Sequence, residues 1–362
     1  MTGRHLSEVG RIPASGARTV TPFEIDGLTL LAIPQLAYDI PGAPASMNGG
    51  DAGTELLLLQ SIDAGYRRFQ ALPVPGGEDA EFFRIGDRAF LATASVRSGT
   101  GPYDFATASR VFEWDGGRFE PFQSFRGFAA KQWRHFTIDG EHFLALAQGI
   151  EAPGTAGGNN LPSQVYRWTG EAFAPFQAIS SKWGYNWDAF AIDGVHYLAH
   201  ADHVLPSLLY RWDGAGFVEH QSLAPRHGRA FAYFGADDDH YLLVACLQSP
   251  SRLLRWDGGR FAECQVLDGL GGREFAVIRV PGGLFVVRVN FILGTPADPR
   301  PSLNSQLYEW RDGRLSVVEE FPTTGAADVS VYHDAQGPLV FVANSLTPEL
   351  RFAASPVVYR FK

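Results

Sequence analysis

Four side chains of this sequence have the chemistry of proton transfer: the carboxylates of Asp79, Glu274 and Asp328 and the imidazole of His227. We expect the three carboxylates to face a confined surface beside several arginines and a lysine, where burial and neighbouring charges shift pKa values. Such groups can act as general acid and general base on a small metabolite, with His227 as the first candidate for the base. The corresponding enzymes are lyases, isomerases, cyclases and hydrolases. Charges that only neutralise one another would give the same pattern, so both interpretations stay open.

A wider set of polar residues are candidates for ligand binding, because they stand at equivalent positions of a repeated unit. The fold of the unit requires only one residue type at each of these positions, whereas the residue type differs from copy to copy. Variation beside a concave surface favours a shaped binding site, and a hydrated polar channel is the simpler alternative. The candidates are Arg18, Glu78, Lys131, Gln132, Tyr185, Asn186, His200, Asp202, Arg229, Arg273, Asn290 and Asn344.

One short segment, His200-x-Asp202-His203, has residue types that bind divalent metals. Ligands this close on one strand rarely converge, so we interpret the segment as part of a polar rim and predict no metal site. The sequence also lacks Gly-x-Ser-x-Gly, His-Glu-x-x-His, phosphate-loop and dinucleotide motifs. We therefore expect no cofactor.

The elements that position these side chains come from an internal repeat. An aromatic-x-Trp motif recurs along the chain, and its copies at Trp168, Trp212 and Trp256 are 44 residues apart. That period suits a four-stranded blade of a β-propeller. A second signature is a pair of apolar residues seven positions apart. It occurs as Phe23/Leu30, Phe83/Phe90, Phe136/Phe143, Phe190/Tyr197, Phe234/Tyr241, Ile278/Phe285 and Tyr332/Leu339.

Asp-Gly pairs separate short runs of apolar, β-branched and aromatic residues, which is the signature of β-hairpins. Asp139-Gly140 is an example between the inner two strands of a unit, and Asp115-Gly116 between the outer two. The last copy ends at Phe361-Lys362, while Leu6, Val9 and Ile12 near the start repeat the spacing of an outermost strand. We predict an all-β, seven-bladed β-propeller with four antiparallel strands per blade. Its ring is closed by the N-terminal strand pairing in the C-terminal blade, as a single domain over residues 1–362.

The repeated motif resembles the EAR, or epitempin (EPTP), repeat of the leucine-rich glioma-inactivated proteins. The match is carried by Trp114 to Gln123 with Phe136 to Ala145, and by Trp168 to Gln177 with Phe190 to Ala199. The resemblance implies a propeller whose secreted members act as protein-binding modules. This chain lacks the leucine-rich partner domain and a secretion signal, so the resemblance does not extend to a synaptic type of receptor partner.

Loop lengths indicate which face of the propeller binds a partner. Connections between the second and third strands are long and rich in Gly and Pro at 36–54, 96–109, 149–163, 291–305 and 345–356, but minimal at 203–207 and 247–251. We expect a cup with a low wall beside the fourth and fifth blades, since recognition resides in loops held on a rigid scaffold. The function expected from this pattern is recognition of a small molecule or a protein in the cup. The alternative is a cofactor-independent enzyme that uses the same pocket.

Composition limits the remaining possibilities. The chain has 30 Lys and Arg against 39 Asp and Glu with no basic run, which argues against a nucleic-acid partner. It has no apolar stretch of about 18 residues, so we expect no membrane association. Cys246 and Cys264 fall two strands apart in one blade, at ~9.5 Å, which is beyond disulfide reach. We therefore expect a cytoplasmic protein, and a monomer.

Overall fold

The computed structural model describes residues 4–63, 65–151, 160–295 and 297–362. These residues form seven four-stranded antiparallel sheets and no helix, and they confirm the seven-bladed propeller. No helix that could cross a membrane occurs within these ranges.

The strands follow one another around the ring in chain order. The first, β1 (Leu6–Arg11), belongs to blade 7. Blade 1 contains β2 (Thr21–Ile25), β3 (Leu28–Ile33), β4 (Leu56–Ile62) and β5 (Gly65–Leu72). Blade 2 contains β6 (Gly77–Ile85), β7 (Arg88–Ser95), β8 (Ala108–Trp114) and β9 (Phe119–Arg126). Blade 3 contains β10 (Gln132–Ile138), β11 (Glu141–Ala147), β12 (Ser163–Trp168) and β13 (Phe173–Ile179).

The second half of the ring repeats this order. Blade 4 contains β14 (Gly184–Ile192), β15 (Val195–Asp202), β16 (Ser207–Trp212) and β17 (Phe217–Ala224). Blade 5 contains β18 (Gly228–Ala236), β19 (Asp239–Cys246), β20 (Ser251–Trp256) and β21 (Phe261–Leu267). Blade 6 contains β22 (Gly272–Val280) and β23 (Gly283–Asn290), a small hairpin of β24 (Leu293–Thr295) and β25 (Asp298–Arg300), then β26 (Ser302–Arg311) and β27 (Arg314–Thr324). Blade 7 contains β28 (Ala326–Asp334), β29 (Gly337–Asn344), β30 (Val357–Phe361) and β1.

The apolar pairs of the repeat are cross-strand neighbours, as their spacing predicts. Phe136 lies opposite Phe143 in β10 and β11, and the equivalent residues are opposite one another in every other blade. Their side chains pack between adjacent sheets, where they join Trp133 and Trp187 in fully buried clusters. The core of the propeller is therefore a ring of inter-blade clusters rather than one central core.

The two kinds of Asp-Gly turn work differently. In the inner turn Asp139 and Gly140 both have positive φ, 50° and 82°, as the hairpin prediction requires. In the outer turn only Gly116 has a positive φ, and the Asp115 carboxylate accepts hydrogen bonds from the N–H groups of Gly117 and Arg118, both at 2.9 Å. The aspartate of the outer turn thus acts through its side chain and closes a four-residue turn.

The ring closes as the sequence predicts. β1 pairs antiparallel with β30, and Leu6 lies opposite Phe361. The Glu319 carboxylate of β27 accepts hydrogen bonds from the backbone N–H groups of His5, at 2.8 Å, and Leu6, at 3.0 Å. These bonds tie the N-terminal strand to blade 6 as well as to blade 7.

A glutamine motif that recurs in the outermost strands joins neighbouring blades. The Gln123 amide donates to the backbone carbonyl of Phe173 at 2.8 Å and accepts from the N–H of the same residue at 3.0 Å. Gln70, Gln177, Gln221 and Gln265 make the same paired bonds to the next blade. The motif is therefore a structural signature of the outer strands.

The cysteines are free, with Cys246 buried and Cys264 exposed, in agreement with the predicted separation. The predicted loop 291–305 differs from expectation, because β24, β25 and the start of β26 lie within it. Residues 152–159 of the predicted loop 149–163 lie outside the described residues.

Candidate functional site at the mouth of the central channel

A β-bulge at the start of the innermost strand sends two consecutive side chains towards the channel. The register shifts between Gly77 and Asp79 in β6, and it shifts at the equivalent place in β14, β18, β22 and β28. An extra residue at a bulge re-aims its side chain. The positions that the sequence predicted at the mouth thus form two layers, one above the other along the axis.

The layer nearer the loops is rich in positive charge, and we call it the cationic layer. Arg18 donates to the Glu78 carboxylate through Nε at 3.0 Å and Nη2 at 2.7 Å, and Arg273 approaches the same carboxylate at 3.5 Å. The Tyr185 ring centre lies 3.9 Å from the guanidinium of Arg229. The cations of the layer are Arg18, Lys131, Arg229 and Arg273, and its one carboxylate is Glu78.

Burial and mutual repulsion govern the titration of this layer. Burial alone would raise the pKa of Glu78, but Arg18, Lys131 and Arg273 outweigh it and lower that pKa to about 2. Burial lowers the pKa of Lys131 to about 7, with Arg18 and Arg273 adding to the shift and Glu78 opposing it. Glu78 therefore remains ionised near neutral pH, whereas Lys131 gains and loses its proton there.

Buried donors without a protein partner cluster beside Arg229. Among the described residues, Arg229 is 6% exposed, and its Nε and Nη1 atoms have no hydrogen-bond partner. Trp183 Nε1 and His203 Nδ1 are also buried without one. The His203 ring centre lies 5.0 Å from that of Trp183 and 5.0 Å from that of His227. We call Trp183, Tyr185, His203 and His227 the aromatic rim.

His227 occupies a backbone position at which other blades have glycine. Its φ is 63°, its N–H donates to the carbonyl of His203, and its carbonyl accepts from the N–H of Leu247. Gly271 makes the equivalent pair of bonds with a φ of 90°, and Gly76 does so with a φ of 52°. A left-handed conformation costs a side-chain-bearing residue about 1–2 kcal/mol. The imidazole is therefore held on the rim despite a backbone cost.

Below the cationic layer lies a cavity of about 370 Å³ with an acidic lining. Its ionisable side chains are Asp79, Glu81, Arg134, Asp188, Glu274 and Asp328. Burial raises the pKa of Asp188 to about 6, and burial with neighbouring carboxylates raises the pKa values of Asp79 and Glu274 well above the usual range. Of the catalytic candidates, three lie in this cavity, and His227 stands apart on the rim.

Several polar side chains of the lower layer form bonds between blades. The Asp79 carboxylate accepts from the N–H of Trp133 at 2.8 Å, and Gln132 accepts from Trp187 at 2.6 Å. Asn186 accepts from the N–H of Phe231 at 3.1 Å. The innermost strand has a free edge towards the channel, and these side chains satisfy its unpaired N–H groups. Their polarity therefore has a structural cause.

In the part of the chain that the structure describes, the carboxylates of Glu274 and Asp328 are not used in hydrogen bonds to the backbone of a neighbouring blade, unlike that of Asp79. Glu274 accepts from the N–H of Phe275 at 3.2 Å and lies 3.5 Å from the Asn186 amide nitrogen. Asp328 accepts a hydrogen bond from the Thr19 hydroxyl, and burial raises its pKa. These two carboxyl groups are the ones in the cavity best placed to exchange a proton with a ligand.

The other predicted binding residues organise loops and strand ends. The Asp202 carboxylate accepts from the N–H groups of Lys182, Trp183, Val204 and Leu205. His200 is buried against Trp187 and pairs with the Ser163 hydroxyl. Asn290 donates to the Asn304 carbonyl and the Gln306 side chain, and Asn344 accepts from the N–H of Thr324. Within the described ranges, no group of three His, Cys, Asp or Glu side chains is arranged to hold a metal ion.

The structure adds residues that the sequence did not single out. Glu81, Arg134 and Asp188 line the cavity two positions beyond Asp79, Gln132 and Asn186. Strand alternation along the innermost strands would have identified them. Trp183 and Arg97 lie outside those strands, and Arg97 is bound to the carbonyls of Asn48 and Gly49. No local signal marks these two, because their neighbours come from distant loops.

The long loops pack together into one apolar cluster, which we call the loop wall. Phe352 and Leu346 of blade 7, Leu36 of blade 1 and Val96 of blade 2 are buried in it. Phe291 of blade 6 and Leu161 of blade 3 pack against it. Blades 4 and 5 contribute nothing to this cluster among the described residues, and the aromatic rim lies on their side of the ring. On the loop face, connections of blades 6, 7, 1, 2 and 3 thus pack into one apolar cluster, whereas the connections at 203–206 in blade 4 and 247–250 in blade 5 are short.

A comparison with protein families identifies the repeat. The EPTP domain matches three times, at residues 118–169, 172–213 and 216–257. This propeller contains EPTP repeats. The human thrombospondin-type laminin G domain and EAR repeat-containing protein is 26% identical to it over 186 residues. That alignment covers 50% of the EPTP-repeat propeller and 26% of the human protein, so the chain spans about a quarter of its relative.

Solved structures agree on the fold of the EPTP-repeat propeller. BBS1N, determined in complex with ARL6DN, superposes with a TM-score of 0.58 at 10% identity over 99% of this chain and 98% of that one. The WD40 β-propeller domain of Doa1 superposes with a TM-score of 0.56 at 12% identity over 100% of this chain and 98% of that one. At these identities the likeness shows the fold alone.

Proposed function

We propose that this EPTP-repeat propeller is a recognition protein that binds a small molecule or a segment of a partner protein at the mouth of its channel, within the cup on the loop face. One observation carries the proposal, the group of buried donors without partners at the aromatic rim. Buried polar groups are nearly always hydrogen-bonded, because an unmade bond costs about 1–3 kcal/mol. Unpartnered buried nitrogen atoms from Trp183, His203 and Arg229 in one place mark a surface completed by a bound molecule.

The shape of the loop face supports the same location. The loop wall encloses the mouth from blade 6 round to blade 3, and the short connection between Asp202 and Ser207 lies beside the rim. Rigid scaffolds present binding residues in this way. The EAR repeats of the human relative place the same repeat in a larger protein, and BBS1N was determined in complex with ARL6DN. Both are analogies of fold and family.

Site-specific photo-crosslinking in the native host tests the proposal. A photoreactive residue at Pro206, exposed on the low side of the loop face, reports on the cup. The matched control is Glu171, exposed on an outer turn of the opposite face. The proposal predicts a discrete adduct at Pro206, of protein size or small-molecule mass, and none at Glu171. Equal labelling at both positions, or no adduct at Pro206, would reject it.

A second candidate function is that of a cofactor-independent enzyme acting in the lower cavity. It is favoured by the position of Glu274 and Asp328 in the cavity, where burial raises the pKa values of both carboxyl groups, since a carboxyl group with a raised pKa holds its proton more readily and can act as a general acid. The test incubates the purified protein with a small-molecule extract of its host and follows all masses by mass spectrometry. An enzyme consumes a compound that Glu274→Gln and Asp328→Asn leave intact. No change with the wild-type protein rejects the candidate.

A further inference from the structure

We propose that the cationic layer binds an oxyanion, a carboxylate or phosphate group of the recognised molecule, with Arg229 as its principal donor. This inference rests on the proposed function and specifies its ligand. The oxyanion can belong to a free small acid or to an acidic group of a partner protein. The two sources share the same chemistry at the site, and the experiments below separate them.

The balance of charge in the layer is the first argument. The layer holds four cationic side chains and the single carboxylate of Glu78, and Arg18 already engages that carboxylate through two hydrogen bonds. Lys131 and Arg229 are 8% and 6% exposed, and within the described part of the chain neither forms an ion pair with a carboxylate. Burying a cation without a counter-charge is costly. An anion bound in the layer supplies the missing charge.

The geometry of Arg229 is the second argument. Its guanidinium lies against the Tyr185 ring at 3.9 Å, which fixes the plane of the group. Its Nε and Nη1 have no partner in the described part of the chain. Guanidinium N–H groups form strong charge-assisted bonds with carboxylate and phosphate oxygens. Arg229 is thus an oriented donor whose bonds are unmade.

The route to the layer is the third argument. Tyr185 touches both the layer and the aromatic rim, since its ring centre lies 6.1 Å from that of Trp183 and 6.2 Å from that of His203. His203 and His227 continue the rim outwards on the low side of the cup. The unpartnered Nδ1 of His203 and Nε1 of Trp183 lie along this route. An acid whose body rests on these rings would place its oxyanion beside Arg229.

Isothermal titration calorimetry with inorganic phosphate, succinate and benzoate tests the inference, at ionic strength held constant with sodium chloride. We expect saturable binding of at least one probe to the wild-type protein. Arg229→Met should weaken it about 10- to 100-fold, the loss expected for charge-assisted hydrogen bonds. The control is Arg211→Met, which removes an exposed arginine from β16 and the same net charge. It should bind as wild type does.

Two results would overturn the inference. One is no binding of any probe to the wild-type protein, and the other is undiminished binding by Arg229→Met. Thermal unfolding first establishes that the variant is folded. If it is not, Arg229→Lys replaces it, because this variant keeps the charge, loses the guanidinium donors and is expected to bind more weakly.

The outcomes also distinguish this inference from the proposed function. An adduct at Pro206 without binding of any anion probe would support the proposed recognition site and contradict the inference that its ligand carries an oxyanion. Binding of an anion probe without an adduct at Pro206 would support the anion site in the cationic layer and contradict the proposed recognition function. The source of the anion follows from the adduct, since a free acid adds a small mass, whereas a protein partner yields a crosslinked peptide with an acidic residue.

Discussion

The Asp79 carboxylate accepts a 2.8 Å hydrogen bond from the backbone N–H of Trp133, across the boundary between blades 2 and 3. Trp133 begins the free edge of β10, where no neighbouring strand satisfies its N–H. The bond therefore joins the innermost strands of two neighbouring blades, as the bonds of Gln123 join the outer strands. Asp79, whose carboxyl group could act as a catalytic acid, thus has a structural role, and that role is apparent only from its contact with the neighbouring blade.

Asp79→Ala should destabilise the protein by about 1–3 kcal/mol, because it leaves the buried N–H of Trp133 without an acceptor. Asp79→Asn keeps an acceptor oxygen and removes a carboxylate whose pKa is raised mainly by burial. Its stability should equal or exceed that of the wild type. Denaturant unfolding measures both. Equal stability of the Ala and wild-type proteins would show that the bond is dispensable.

His227→Gly should leave the fold at least as stable, since glycine adopts a φ of 63° without the cost of about 1–2 kcal/mol borne by other residues. The same variant removes an imidazole from the aromatic rim and should weaken binding of the ligand. Unfolding midpoints and calorimetric titrations with the anion probes measure the two effects. A variant that binds normally would show that the rim histidine is not used in recognition.

Anion binding should weaken as the pH rises above about 7. Burial and the charges of Arg18, Arg273 and Arg97 lower the pKa of Lys131 to about 7, against the opposing effect of Glu78. The lysine is charged below that pH and neutral above it, so the layer loses a cation as the pH increases. Titrations from pH 6 to pH 9 measure the slope. Lys131→Arg, which stays charged, should flatten it, and an unchanged slope in this variant would contradict the assignment.

Asp188 should make the protein less stable at alkaline than at acidic pH, relative to Asp188→Asn. Burial raises its folded pKa to about 6 from 3.8, so the folded state holds the proton more tightly than the unfolded chain does. Its contribution is present below about pH 4 and is lost as the pH rises through about 6. The difference in unfolding free energy between the two proteins should therefore change by about 2 kcal/mol between pH 4.5 and pH 8, out of about 3 kcal/mol over the whole titration.

Asp188→Asn is the matched control because its amide oxygen can still accept from the N–H of Tyr233. The comparison between variants is needed since buried histidines titrate in the same window with the opposite sign. His135 is one of them, and burial lowers its pKa to about 4. A constant difference in stability across the pH range would mean that Asp188 is ionised in the folded protein throughout.

Much of the fold was predictable because its signals are local. Phe136 and Phe143 face each other within one hairpin, and the two-residue Asp139-Gly140 turn between their strands is enough to set that register. The same alignment placed Arg18, Glu78 and Arg273 at equivalent positions of three blades, and in the structure both arginines contact the Glu78 carboxylate. The layering itself was not predictable. The two layers depend on β-bulges such as that between Gly77 and Asp79, and no residue type at these positions predicts a bulge.

The sequence by itself determined the blade, the number of blades and the closure of the ring, because each depends on alternation, turns and repetition along the chain. Only the tertiary structure decided which polar residues are free to act. The Trp133 N–H that occupies Asp79 lies 54 residues away. The rings that lead to Arg229 belong to β14 and to three separate loops, which contain Trp183, His203 and His227. At the channel mouth, hydrogen-bond partners and burial depend on side chains that differ from blade to blade and come from distant segments, so no repeated pattern in the sequence predicts them.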